Sequence, residues 1–312
     1  MTQRGSSPEH GRHGDAKDGD RPEPEARLDL RLLGLFELRV GDCLLLDAAW
    51  PHSKAKAILK ILAVQPTRRL HREQLLETLW PEKTPYSASN NFRQSIHHLR
   101  SQLTHHGVTA PVLEMNRDTV ALSEGVRTDI DAFRSAARAA RRVRLDPDLY
   151  QTSLAIYAGD LLPDDLYEEW SVHPREELRA LRRQLLKELA CACAAKDQRH
   201  EAVHALEEVL RADPLDEEAH RTLMQLYLSA DDRGLAARQY KTCRRLLQEE
   251  LGVEPSAETE AVYRRVLAAT APSSAGSPLS GPDGPSGTGT SGPRARTNLP
   301  VRLTSFVELS PT

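Results

Sequence analysis

Between Asn90 and Ser101 the chain carries side chains suited to reading a nucleic acid. Asn90, Gln94, His97 and Ser101 recur at helical spacing, flanked by Arg93 and Arg100 and with His98 adjacent. No acidic residue occurs from Ser87 to His106. Asn and Gln bond bidentately to an adenine edge and Arg to a guanine edge, and the major groove admits a helix. The pattern predicts a helix from about Ser87 on which Asn90, Arg93, Gln94 and His97, with His98 beside them, face base edges. Arg100, next to the apolar Leu99, suits a phosphate clamp or an internal ion pair equally well. A merely solvated helix face has the same polarity, so the surrounding elements must decide.

Opposite that face, Phe92, Ile96, Leu99 and Leu103 follow one another at steps of four, three and four, a single buried stripe. A preceding helix from about His71 to Trp80 places Leu75, Leu76, Leu79 and Trp80 inward and stops at Pro81. Before it, Ser53 suits an N-cap for a helix from Lys54 to Val64 with Ala55, Ile58, Leu59 and Leu62 buried. Lys54, Lys56 and Lys60 fall outside that stripe. Alternating residues at Leu28–Leu32 and Phe36–Val40, the Gly41-Asp42 turn and Cys43–Leu46 predict a small antiparallel sheet. After the polar helix, Val112–Met115 and Thr119–Leu122 flank Asn116-Arg117-Asp118, a hairpin with a basic tip. Strands, three helices and a terminal hairpin add up to a winged helix over 28–124. Arg117 would then reach a phosphate or the minor groove, and Lys54 a phosphate.

From Asp129 the strand pattern gives way to helices. Lys196-Asp-Gln-Arg-His-Glu-Ala-Val and Ala230-Asp-Asp-Arg-Gly-Leu-Ala-Ala align at a spacing of 34, the tetratricopeptide period, with Asp213-Pro214 and Glu254-Pro255 near the expected repeat ends. The expectation is a mainly α protein, with an all-α tetratricopeptide-like domain over 128–270 after the winged helix. Residues 1–27, rich in Gly, Pro and charge, are expected to be a disordered leader, and 271–312, rich in Pro, Gly and Ser, a flexible tail.

The net charge of −3 hides a division. Asp29–Ser123 holds 12 Lys and Arg against 9 Asp and Glu, with six histidines besides, whereas Glu124–Thr270 holds 22 against 28. An acidic second half repels phosphate, so nucleic-acid contact belongs to the first. No apolar run suits a membrane span or a signal peptide, and four cysteines in 312 residues make no disulfide framework, which points to the cytoplasm. His97, His98, His105 and His106 form two pairs on different faces with no Cys or carboxylate beside them, so neither metal nor cofactor is expected. Their titration near neutrality would make binding pH-sensitive. Cys191 and Cys193 read as small buried thiols, Tyr157 and Trp170 as packing residues. Asp164, Asp165, Glu168 and Glu169 read as capping and solvated carboxylates. No group of residues assembles a nucleophile, base and stabiliser, so an enzyme is not expected.

The segment Leu30–Leu267, about three-quarters of the chain, resembles the SARP family of antibiotic regulatory proteins. The resemblance rests on Arg31-Leu-Leu-Gly-Leu-Phe-Glu-Leu, Lys56-Ala-Ile-Leu-Lys-Ile-Leu-Ala, Arg72-Glu-Gln-Leu-Leu-Glu-Thr-Leu-Trp-Pro and Ile96-His-His-Leu-Arg. Further along it rests on Thr128-Asp-Ile-Asp-Ala-Phe, Tyr157-Ala-Gly-Asp-Leu-Leu-Pro-Asp, Glu169-Trp170 and Glu249-Glu-Leu-Gly-Val-Glu-Pro-Ser. It implies an OmpR-type winged helix joined to a bacterial transcriptional activator domain, acting on genes of specialised metabolism. The implied partners are double-stranded promoter DNA bearing repeats, RNA polymerase holoenzyme and a second protomer on the DNA, with the protein at the nucleoid. Family members carry more Arg on the corresponding helix. Asn298-Leu-Pro-Val-Arg-Leu-Thr-Ser-Phe-Val resembles the approach to the nucleotide-binding domain of larger members, yet no GxxxxGK[ST] loop occurs in this chain. Two rival readings follow: an interaction scaffold of the tetratricopeptide type, and a truncated, non-activating relative of a larger ATPase-type regulator.

Overall fold

The computed structural model describes residues 28–41, 43–45 and 53–268. The leader and tail expected at the two ends lie outside the described residues. Strand β1 (Leu28–Arg31) buries Leu28 and Leu30, and β2 (Glu37–Val40) buries Leu38 and Val40. The two pair antiparallel, Leu28 opposite Val40, and Gly41 turns the chain at φ +57° into β3 (Cys43–Leu45). Helix α1 (Ser53–Val64) opens at Ser53 and sinks Ile58, Leu59 and Leu62 completely.

The sequence reading missed β4 (Arg69–His71), a three-residue strand directly before α2 (Arg72–Leu79). Its signal is too short to show alternation. It pairs antiparallel with β6 (Thr119–Leu122), the returning strand of the hairpin whose outgoing strand is β5 (Leu113–Met115). Between them runs α3 (Pro85–His105), two residues longer at its start than expected. Thr84 caps it by accepting the Ser87 N–H, and Pro85 sits at the first helical position, where its missing N–H costs nothing. Three helices and a wing are thus packed around Ile58, Leu62, Leu75, Phe92 and Leu99.

The second half is helical throughout: α4 (Asp129–Arg142), α5 (Pro147–Ile156), α6 (Glu169–Ala195), α7 (Arg199–Ala212), α8 (Glu217–Ser229), α9 (Arg233–Leu251) and α10 (Ala257–Ala268). The 34-residue spacing is visible in the backbone. Asp197 (φ +58°) and Asp231 (φ +59°) make the same left-handed turn before α7 and α9, and Ala202 and Ala236 are both fully buried. Successive helices pack as hairpins, α6 on α7 and α8 on α9, which suits the tetratricopeptide-like reading.

The two halves are welded rather than strung on a linker. Strand β7 (Arg127–Thr128) pairs parallel with β1, and an Arg127–Asp29 ion pair at 2.6 Å flanks the pairing. The Asp129 carboxylate, at the start of α4, accepts the N–H groups of Leu32 and Leu33 at 2.8–2.9 Å. Leu161 bridges Leu33, the Leu162 N–H donates to the Leu32 carbonyl, and Gly34 donates to the Asp160 carbonyl. Buried Arg175 steadies this loop by donating to the carbonyls of Leu161, Leu162 and Asp165 and to the Ser171 hydroxyl. Two readings need correcting. Asp165 is not a solvated carboxylate, because the Lys60 Nζ, lying over the Phe36 ring, pairs with it at 2.6 Å. Cys193 is buried as expected, but Cys191, on the opposite side of α6, is exposed.

Candidate nucleic-acid interface

Helix α3 is amphipathic in the expected sense. Ala88, Phe92, Ser95, Ile96, Leu99 and Leu103 are buried, while Asn90, Arg93, Gln94, His97, His98, Arg100 and Ser101 are exposed. At 21 residues it spans ~30 Å, enough to cross a major groove. Arg100 is exposed and makes no ion pair among the described residues. No group of three or more His, Cys, Asp or Glu among the described residues is disposed to hold a metal. His97 and His98 stand edge to face at 6.1 Å, as do His105 and His106 at 5.3 Å, on separate stretches of the helix end.

The wing stands beside this face. Its tip closes through the Asn116 N–H to the Thr119 carbonyl, leaving Arg117 exposed. Between α3 and the wing lies a groove of about 360 Å³ lined by Arg72, Arg93, His97, Arg100 and Asn116 over a floor that includes Phe92 and Met115. Three guanidiniums and an imidazole face it and no carboxylate does, which makes it an attractive site for an anion.

The structure therefore brings Arg93, His97 and Arg100 together. Asn90 and Gln94 continue the same helix face toward its start. Lys54 is exposed in the first turn of α1 and Arg117 at the wing tip, and neither lines the groove.

Arg72 was missed as a site residue. Its guanidinium donates to the Ser89 hydroxyl at 2.8 Å and covers the Phe92 ring at 5.3 Å, and its N–H donates to the Asp118 carbonyl. One residue thus fixes α3 and the wing relative to each other. The visible signal was a lone basic residue opening α2, which periodicity cannot distinguish from a surface charge. Asn116 was read only as part of the turn.

A winged helix fused to a helical-hairpin domain, with a basic groove beside its longest exposed helix, defines a class: a two-domain transcriptional regulator. Residues 50–117 match the model of the C-terminal domain of transcriptional regulatory proteins, and 128–267 that of the bacterial transcriptional activator domain. Both domains, in this order, are the domain arrangement of the SARP family. It is 24% identical over 226 residues to the transcriptional regulatory protein MoaR1 of Mycobacterium tuberculosis, covering 69% of this chain and 72% of MoaR1. It is 29% identical over 224 residues to the regulatory protein AfsR of Streptomyces coelicolor, again 69% of this chain but only 22% of AfsR. The chain thus spans most of one relative and about a fifth of the other. The fold matches that of Mycobacterium tuberculosis EmbR, solved in complex with a low-affinity phosphopeptide. The TM-score is 0.67 at 22% identity, over 78% of this chain and 66% of that one.

Proposed function

We propose that the protein is a sequence-specific activator that binds double-stranded promoter DNA through α3 and the wing. Asn90, Arg93, Gln94 and His97 read base edges in the major groove, with His98 at the margin. Arg100 and Arg72 meet phosphate in the groove between helix and wing, and Lys54 and Arg117 hold phosphates on either side. The observation that carries this reading is the carboxylate-free basic groove opening onto an amide- and arginine-bearing helix face. The helical domain would contact RNA polymerase holoenzyme, and the regulated genes would be those of a specialised-metabolite cluster, in the cytoplasm at the nucleoid.

Duplexes selected from a random pool, followed by anisotropy titration, test it. Gln94→Ala or Asn90→Ala is expected to cost about 1–3 kcal/mol on the selected site and to relax one base position. Arg117→Ala or Lys54→Ala should weaken all duplexes alike and reduce the salt slope by about 1. A protein that retains no duplex in a salt-dependent way would instead be an interaction scaffold whose winged helix packs on protein.

A further inference from the structure

Where the turn between α4 and α5 meets α6 there is a cavity of about 340 Å³. It lies in the helical half and shares no residue with the groove beside the wing. Tyr150 forms part of its wall. Only 3% of this residue is exposed, and its hydroxyl makes no hydrogen bond among the described residues. Burial raises the Tyr150 pKa, the Glu188 carboxylate adds to the rise, and Arg141 and Arg144 oppose it. The hydroxyl thus stands within electrostatic reach of three charged groups that line the same cavity. A buried phenol ordinarily has a hydrogen-bond partner, so one without it in a cavity wall offers its proton to an occupant.

The charges of the cavity leave a single cation over. Five charged side chains line it, and four of them are matched. Arg141 donates from Nε to both Glu188 oxygens, at 3.0 and 3.1 Å. Lys187 meets Glu218 at 2.6 Å and Asp216 at 3.2 Å. Arg144 is exposed and makes no ion pair among the described residues. A free guanidinium binds a carboxylate through two parallel hydrogen bonds. A phosphate monoester brings about two negative charges, more than one arginine answers.

The remaining surface is apolar or neutral. Leu145 is 54% exposed and held at φ +71°, where leucine is strained and glycine would not be. An apolar side chain kept at the cavity's edge in that conformation suits an apolar occupant. Cys191 is an exposed part of the same lining. Burial raises its pKa, with Glu218 and Glu188 adding to the rise, so the thiol stays neutral and contributes soft surface rather than a nucleophile.

We propose that this cavity binds a small organic acid, one carboxylate on an apolar body. The carboxylate pairs with Arg144 and accepts a hydrogen bond from the Tyr150 hydroxyl, while the body lies along Leu145 and Cys191. The volume falls within the range of small-molecule sites, about 300–1,000 Å³. Binding is expected of the free protein and does not rest on the DNA reading.

Isothermal titration calorimetry on the full chain tests it, with octanoate and phenylacetate as probes and octanamide and acetate as controls. At least one of the two acids should bind. Octanamide, which lacks the charge, and acetate, which lacks the body, should bind at least about tenfold more weakly. Arg144→Gln and Tyr150→Phe, shown to be folded by circular dichroism, should each weaken the bound acid by about tenfold. Cys191 reports the place: the bound acid should slow its alkylation by N-ethylmaleimide, followed peptide by peptide in a mass spectrometer, and leave alkylation of exposed Cys43 unchanged. Neither acid binding, octanamide binding as tightly as octanoate, either variant binding unchanged, or binding that leaves Cys191 unprotected would each overturn the proposal. So would acetate binding as tightly as the larger acids, because the cavity would then be an unselective anion contact.

Discussion

Replacing Asp129 is the sharpest probe of how the two halves are held. Its carboxylate takes the N–H groups of Leu32 and Leu33, at residues that are 0% and 3% exposed, and nothing else among the described residues accepts from them. Asp129→Ala would leave two buried donors without acceptors, at about 1–3 kcal/mol each, so a loss of about 2–6 kcal/mol is expected. Burial raises the Asp129 pKa, outweighing the pull of the N–H donors. A carboxyl raised in the fold contributes most below the ordinary carboxylate pKa, near 3.9, and less as pH rises through its folded value. The ionised form is therefore the costlier one, and a neutral acceptor should serve nearly as well. Asp129→Asn, whose carbonyl oxygen can accept from both donors, should lose less than half as much as Asp129→Ala. Urea unfolding at pH 7, followed by far-ultraviolet circular dichroism and by tryptophan fluorescence, measures both. An alanine variant within about 0.5 kcal/mol of wild type, or an asparagine variant as unstable as alanine, would refute the reasoning.

Two further outcomes concern packing and pH. His220 is buried on α8, with Nε2 at 3.1 Å from the Pro214 carbonyl and Nδ1 at 2.6 Å from the Gln239 amide, and burial lowers its pKa. A histidine lowered in the fold supplies stability above its unfolded pKa, about 6.5, and loses it as pH falls. Stability should therefore drop from pH 7 toward pH 5 by at most about 1.4 kcal/mol per unit, and His220→Gln should flatten that slope in thermal unfolding while lowering the plateau. Gly159→Ala should cost about 1–3 kcal/mol in the same assay. A Cβ there would stand 3.2 Å from the Gly34 Cα, and Gly34 is held at φ +100° by donating to the Asp160 carbonyl, so it yields only by stretching that bond.

What was legible in the sequence is what repeats locally. The stripe Phe92–Ile96–Leu99–Leu103 locates α3 and its exposed face, and the 34-residue spacing finds two turns with the same left-handed aspartate. Three-residue β4 was not legible, because it makes sense only as the partner of β6, some 50 residues later. Arg72 was illegible as a site residue for the same reason: what distinguishes it is Ser89, Phe92 and Asp118, and none of these is its neighbour in sequence. The joint between the halves was the least visible part. Its polar contacts link residues 97 and 105 positions apart, and a carboxylate that caps two distant N–H groups looks like any first-turn aspartate. Tyr157-Ala-Gly-Asp-Leu-Leu-Pro-Asp marked a family in the sequence, and in the structure it is the loop that seals this joint.

The joint also gives the wing a mechanical connection to the helical half. Arg68, in a left-handed turn at φ +55°, accepts the Leu122 N–H at the end of β6. Its guanidinium donates to the carbonyls of Ser123 and Val126, at 3.2 and 2.6 Å, and pairs with Asp131 in the first turn of α4 at 3.6 Å. The chain leaving the wing is thus gripped on both sides before it enters α4, while Asp129 holds the same helix start against the strand layer. A force on the wing reaches α4 through hydrogen bonds that are short and partly buried, with no loose linker between. Seating the wing on DNA would then load the start of α4 through that grip.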